Sequence, residues 1–346
     1  MKAVVKTKPD VGIEILEVPI PKIKPDEVLM KVHACGLCGT DLGMYKWGQS
    51  YRFRVGVPIE LPRIMGHEPS GIVVETGSEV KNLKPGDRVC SDSWGGCGNC
   101  YYCRLGQFTQ CQNKKNIGSL MDGAMAEYVA IPFVSLYKIP DSMSLDEAAL
   151  MEPVGVAVRA FETLVNFRLG DDVVVLGPGP VGLLEAMVAR ASGAGRIFIV
   201  GLTKDKQRLE IAQRLGFIGI NCDEERAVEV VMANTNGQGV DVVFNAVSGG
   251  IPEDAIKFLK KVGQLVITAR LHGPITIDGM EMMRREIVIT RHRGRNPSSV
   301  LSALKLMASG RVDVKPLITH KLKLEDAEIG FKMVERSEGL KILLLP

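Results

Sequence analysis

The chain has 346 residues, enough for two domains with a core each. Its 43 Lys and Arg against 40 Asp and Glu leave a net charge of +3, too balanced for a nucleic-acid or membrane-surface binder. The opening residues 1–9 carry charges where a signal peptide needs an apolar core, and no apolar run approaches the ~18 residues of a membrane span. A cytoplasmic protein with no membrane or nucleic-acid partner is expected. There the eight cysteines stay reduced, so clustered cysteines point to metal rather than to disulfides.

Residues 1 to about 150 read as β-rich and turn-rich. Short alternating or apolar pieces at 2–5, 28–32, 71–74, 88–90 and 126–130 are punctuated by Pro19, Pro21, Pro25, Pro58, Pro62 and Pro85. That pattern predicts a barrel-like or sandwich-like module. Within it Cys97, Cys100, Cys103 and Cys111 place four thiols in fifteen residues. A closed tetrahedral shell suits zinc in a structural role, because no position stays open for a substrate. An iron–sulfur cluster is the alternative, and buried apolar cysteines fit poorly among Gly98, Asn99, Tyr101, Tyr102 and Arg104.

A second set is mixed. Cys38 lies in Gly36-Leu37-Cys38-Gly39-Thr40-Asp41, His67 and Glu68 lie in Gly66-His67-Glu68-Pro69, and Glu152 lies in Met151-Glu152-Pro153. One thiolate, one imidazole and carboxylates can hold zinc while leaving a position open. Taken singly, each also reads as a core cysteine, a turn histidine or a helix-start carboxylate.

Near Leu145 the pattern becomes helical, with Leu145, Ala148, Met151, Val154, Val158 and Phe161 on one face. From Asp171 strand and helix alternate. Apolar runs at 173–176, 197–200, 217–220, 240–244, 265–268 and 287–290, with helices at 206–215 and 224–232, predict a doubly wound parallel sheet. Gly177, Gly179 and Gly182 fall at the G-x-G-x-x-G spacing between the first strand and a helix opened by Pro180 and Val181. The first glycine permits the turn, the second lets backbone approach a pyrophosphate, and the third brings helix against strand. A plain glycine turn is the competing reading. After the second strand, where an acid usually binds the ribose of NAD, the chain has Gly201 followed by Thr203, Lys204 and Arg208. Nothing there repels a 2′-phosphate, so the local charge leans to NADP over NAD; a solvated helix start with Asp205 in place of the acid is the plainer alternative. The tail returns to a helix at 300–307 and a strand at 341–345.

Together the Gly-Leu-Cys-Gly-Thr-Asp segment, Gly-His-Glu, the four-cysteine lobe, Glu152-Pro153 and the glycine loop resemble the zinc-containing medium-chain dehydrogenases over essentially the whole chain. Glu152-Pro153 and the segment 314–320 are most similar to the sorbitol (polyol) dehydrogenase branch. The resemblance implies a GroES-like catalytic domain over 1–153, an inserted Rossmann domain over 154–292, and a return to the catalytic domain over 293–346. It implies two zinc ions per chain, a catalytic one at Cys38 and His67 with Glu68 or Glu152, and a structural one in the lobe. Thr40 matches the hydroxyl that contacts substrate. Ala246 and Val247 match cofactor-binding positions with the glycine loop, and Arg293 matches side chains near cofactor or substrate. The implied reaction is hydride transfer between NAD(P) and a secondary alcohol or ketone, on a polyol, sugar or sugar-acid, in a homo-oligomer (dimer or tetramer). Threonine or a simple secondary alcohol is the alternative substrate, and a non-catalytic redox sensor the alternative of another class. Gly43 stands where many relatives have a proton-relay histidine. The stretch 45–54, rich in aromatics and arginines, is expected to line the substrate site.

Overall fold

The protein is described by a computed structural model covering residues 1–48, 52–54 and 57–346, without the side chains of residues 53 and 54. It divides into two compact units, Met1–Glu152 with Val314–Pro346, and Pro153–Asp313.

The first unit is built on a seven-stranded sheet. Glu27–Gly36 is its central strand, alternating buried Val28, Met30 and Val32 with exposed Lys31 and His33. It pairs antiparallel with Tyr128–Pro132, Pro69–Thr76 and Lys341–Leu345. Registers Cys35↔Pro69 and Leu344↔Cys35 fix three strand ends side by side. As a result Gly36-Leu37-Cys38, His67-Glu68 and Lys341 meet at one end of the sheet. Backbone bonds secure the junction: Gly36 N–H donates to the Glu68 carbonyl at 3.0 Å, and Leu37 N–H to that of Ile342 at 2.9 Å. A core of Val, Leu, Ile and Met side chains, among them Met30, Met65, Met125, Ile131 and Leu344, lies beneath.

The second unit is a six-stranded, all-parallel sheet in the order Ile218–Asn221, Ile197–Gly201, Val173–Leu176, Val240–Asn245, Leu259–Ile267, Val288–Arg291. In chain order this is 3-2-1-4-5-6, the doubly wound arrangement. Val173–Leu176 is buried throughout, as an unbroken apolar run between two helical layers must be. Helix Pro297–Ala308 packs in this unit: Val300, Ala303, Leu304 and Met307 are buried, and the Ser299 hydroxyl donates to Glu162 at 2.7 Å. The chain therefore leaves the second unit at Val314 rather than at 293, because that helix has its apolar face here.

Candidate metal centre and glycine loop

Cys38 follows the central strand and precedes the short helix Gly39–Tyr45. Cys38, His67 and Glu68 each offer a ligand atom, and these lie within 4.8 Å of one another. Asp41, fully buried, holds two of them: one carboxylate oxygen is 3.1 Å from His67 Nδ1 and the other accepts the Cys38 N–H at 3.0 Å. This carboxylate–histidine contact fixes the ring and leaves Nε2 as the nitrogen that could bind a metal. Burial alone would lower the His67 pKa, but the Asp41 charge and hydrogen bond carry it well above the usual imidazole value. Asp41 belongs to no ligand motif, and its spacing three residues after Cys38, at the helix start, is the signal of its role in the sequence.

Glu68 is 1% exposed, and burial raises its pKa against the opposing pull of Lys341. Its Oε2 forms an ion pair with the Lys341 ammonium, while Oε1 is buried without a hydrogen-bond partner among the described residues. An orphaned buried carboxylate oxygen beside a thiol and an imidazole is a costly arrangement that a divalent cation would satisfy, and the donor set suits zinc. Glu152 lies at the start of helix Met151–Glu162 and accepts from the Ser93 hydroxyl at 3.3 Å; its charge reaches Glu68 and Lys341. Thr40 is half-buried in the first turn of its helix, and Gly43 lies further along it.

The four thiols of Cys97, Cys100, Cys103 and Cys111 also lie within 4.8 Å of one another. Backbone N–H groups at Asn99 and Cys100 draw the Cys97 thiol down to about 6, and burial pushes that of Cys103 up to about 12. Gly96 is closed around the cluster, since a Cβ there would meet the Cys103 sulfur at 2.6 Å. The arrangement fits a closed metal shell.

Tyr45 and Trp47 are not available to a substrate. Tyr45 stacks on Phe331 at 4.9 Å and donates to Glu328 at 2.7 Å, and Trp47 packs over the Lys6 ammonium at 5.6 Å. Both rings belong to the core, because that is where their area leaves water. Gln49, Ser50 and Tyr51 of that stretch lie outside the described residues.

In the second unit each glycine has its own geometry. Gly177 takes φ +98 and lies against Ala246 and Val247. Gly179 caps the helix Pro180–Ala191 and faces open space, with nothing within 4 Å of a Cβ placed there. A Cβ on Gly182 would lie 2.1 Å from the Gly177 carbonyl oxygen. The turn, the open approach and the close packing are thus divided among the three in chain order. Gly201 is packed against Pro178 of the same loop, with a Cβ meeting its Cγ at 2.9 Å. Beside it Asp223 accepts the Thr203 N–H at 2.8 Å, and Arg208 stands 3.8 Å from Asp205. Of the arginines after the last strand, Arg295 is buried against Gly155 and Arg293 is exposed; His292 is buried, with Nδ1–H donating to the Gly294 carbonyl.

A unit built on a seven-stranded sheet and carrying two candidate metal sites, joined in one chain to a dinucleotide-type sheet, defines an oxidoreductase of the zinc-alcohol-dehydrogenase type. Residues 24–141 match the family model described as Alcohol dehydrogenase GroES-like domain, and residues 180–309 that described as Zinc-binding dehydrogenase. The L-threonine 3-dehydrogenase of Bacillus velezensis is 36% identical over 100% of this chain and 99% of its own. The D-arabitol-phosphate dehydrogenase of Enterococcus avium is 32% identical over 99% and 97%. Among solved structures, alcohol dehydrogenase TADH from Thermus sp. ATN1 superposes with a TM-score of 0.90 at 31% identity, covering 100% of this chain and 99% of that one. The chain belongs to the zinc-containing medium-chain dehydrogenase family. It is an NAD(P)-dependent dehydrogenase acting on CH–OH donors. Among the described residues, no helix is long and apolar enough to cross a membrane.

Proposed function

We propose that this dehydrogenase oxidises a secondary hydroxyl on a small polar molecule, with Cys38, His67 and Glu68 holding the catalytic zinc and Glu152 beside them. The observation that carries this reading is the cluster itself: three ligand types, an orphaned Glu68 oxygen, and Asp41 fixing the imidazole. Zinc held there would supply a Lewis acid that lowers the pKa of the substrate hydroxyl, and bound NAD(P) would supply the hydride acceptor. Asp41 keeps His67 in one tautomer, and the Thr40 hydroxyl receives the substrate's hydrogen bond. The backbone at Gly179 receives the pyrophosphate, where no side chain obstructs it and the helix N-terminus favours negative charge. Cys97, Cys100, Cys103 and Cys111 hold a second, structural zinc.

Two substrate classes are supported by different relatives. Threonine is favoured by the relative from Bacillus velezensis at 36% identity, and a polyol or its phosphate by the one from Enterococcus avium at 32%. NADP is the preferred cofactor in this reading, since no acid stands at Gly201 and Lys204 is close by, although Asp205 and Asp223 offset part of that charge. A panel of polyols, aldonates and 2-amino-3-hydroxy acids, run with NAD and NADP while following nicotinamide absorbance, tests all three points. Turnover of primary alcohols alone would reject the substrate reading, and a higher kcat/KM with NAD would reject the cofactor one. A redox sensor would bind cofactor but turn over nothing in the panel.

A further inference from the structure

The C-terminal strand brings a lysine to the metal centre, and no motif in the sequence singles it out. Lys341 is 2% exposed. Its ammonium is paired with Glu68 Oε2 and donates to the Leu37 carbonyl at 3.1 Å, one residue before Cys38. The pair has its own recess. A Cβ on Gly36 would lie 2.3 Å from Glu68 Oε2 and 3.0 Å from Lys341 Cε, so only glycine leaves room for it. The other carboxylate oxygen, Oε1, has no hydrogen-bond partner among the described residues.

We propose that Lys341 is a positioning residue for the metal centre: it anchors one oxygen of Glu68 so that the other is presented to the metal, and it ties the Cys38 segment to the same point through Leu37. The inference rests on the metal reading above, in which Glu68 is the carboxylate ligand and Glu152 lies beside it. A buried carboxylate without this anchor would have to be ordered at the moment of metal binding. Outer partners of this kind typically govern metal affinity by ~10–100-fold.

The test measures cobalt(II) affinity by competition with a chelator, and the thiolate-to-cobalt absorption, on full-length protein with the four-cysteine site separately accounted for. Lys341→Met is expected to weaken cobalt binding at the Cys38 site about tenfold or more and to alter the spectrum, with the lobe unchanged. In a Glu68→Gln background the same substitution is expected to change affinity by less than about twofold, since the anchored group is already neutral. An unaltered spectrum and affinity in Lys341→Met, or an equal loss in the Glu68→Gln background, overturns the proposal. Should Lys341→Met not fold, Lys341→Arg and the double variant Lys341→Met with Glu68→Gln, which removes both buried charges, are read by the same two measurements. If unsubstituted protein takes up no metal at Cys38, the functional reading fails instead.

Discussion

Asp41 and His67 are bonded through Oδ1 and Nδ1 at 3.1 Å, and the other Asp41 oxygen holds the Cys38 N–H at 3.0 Å. One carboxylate therefore sets the orientation of a ring and the position of a thiol that are 29 residues apart in sequence, which is the distance from Cys38 to His67. Asp41→Ala should lower zinc retention at this site by ~10–100-fold against a chelator. Zinc content should fall from two per chain toward one, as measured by elemental analysis. Retention of both ions would remove Asp41 from the proposed centre.

The two metal sites should separate in their effects. Cys111→Ser is expected to cost one zinc and several degrees of Tm, because the lobe has little apolar core to replace the metal. Cys38→Ser is expected to cost the other zinc and nearly all activity, with a much smaller change in Tm. Differential scanning calorimetry with zinc analysis reads both; a reversed pattern contradicts the assignment of roles.

The glycine loop gives a paired expectation. Gly182→Ala places a Cβ 2.1 Å from the Gly177 carbonyl, against backbone that cannot move away cheaply, so the second unit should lose stability by ~2 kcal/mol or more. Gly179→Ala meets nothing within 4 Å, so Tm should stay within about 2 °C while cofactor Kd rises about tenfold or more. Thermal melts and fluorescence titration with the reduced cofactor distinguish them. An unaffected Kd in Gly179→Ala would mean the dinucleotide does not cross that backbone.

Glu185, in the helix after the glycine loop, is 1% exposed, and neither carboxylate oxygen has a hydrogen-bond partner among the described residues. Burial pushes its pKa from 4.5 up to about 8. Below 4.5 the group is protonated in both states and costs nothing in charge. As pH rises toward 8 the unfolded chain releases a proton that the folded chain keeps, so stability falls, and it levels off once the folded group ionises. Glu185→Gln should therefore raise Tm progressively between pH 5 and about pH 8, a difference on the order of a few kcal/mol at its largest. Melts of both proteins across that range check it; a gap that does not grow with pH contradicts the buried-acid account.

Much of this molecule follows from local pattern. The strands 173–176, 197–201, 240–245 and 341–345 can be read from short apolar runs, because a strand covered on both faces has no other composition open to it. Each glycine of the loop meets the steric demand that its position predicts. Loop aromatics are less legible. Tyr45 and Trp47 look the same in sequence whether they face a substrate or a core, and only the Phe331 helix and Lys6, 286 and 39 residues away from Tyr45, decide it.

By itself, then, the sequence determined the parallel sheet, the glycine turn that leads from its first strand into a helix, and the grouping of four thiols in one short lobe, since each rests on spacing or periodicity within a few residues. The tertiary structure decided what depends on strand register. Pairing Gly36 with Leu343 and Cys35 with Pro69 sets Lys341, Glu68 and Cys38 at one sheet end. A slip of one residue would turn those side chains to the opposite face, and no local pattern records which register the folded chain selects.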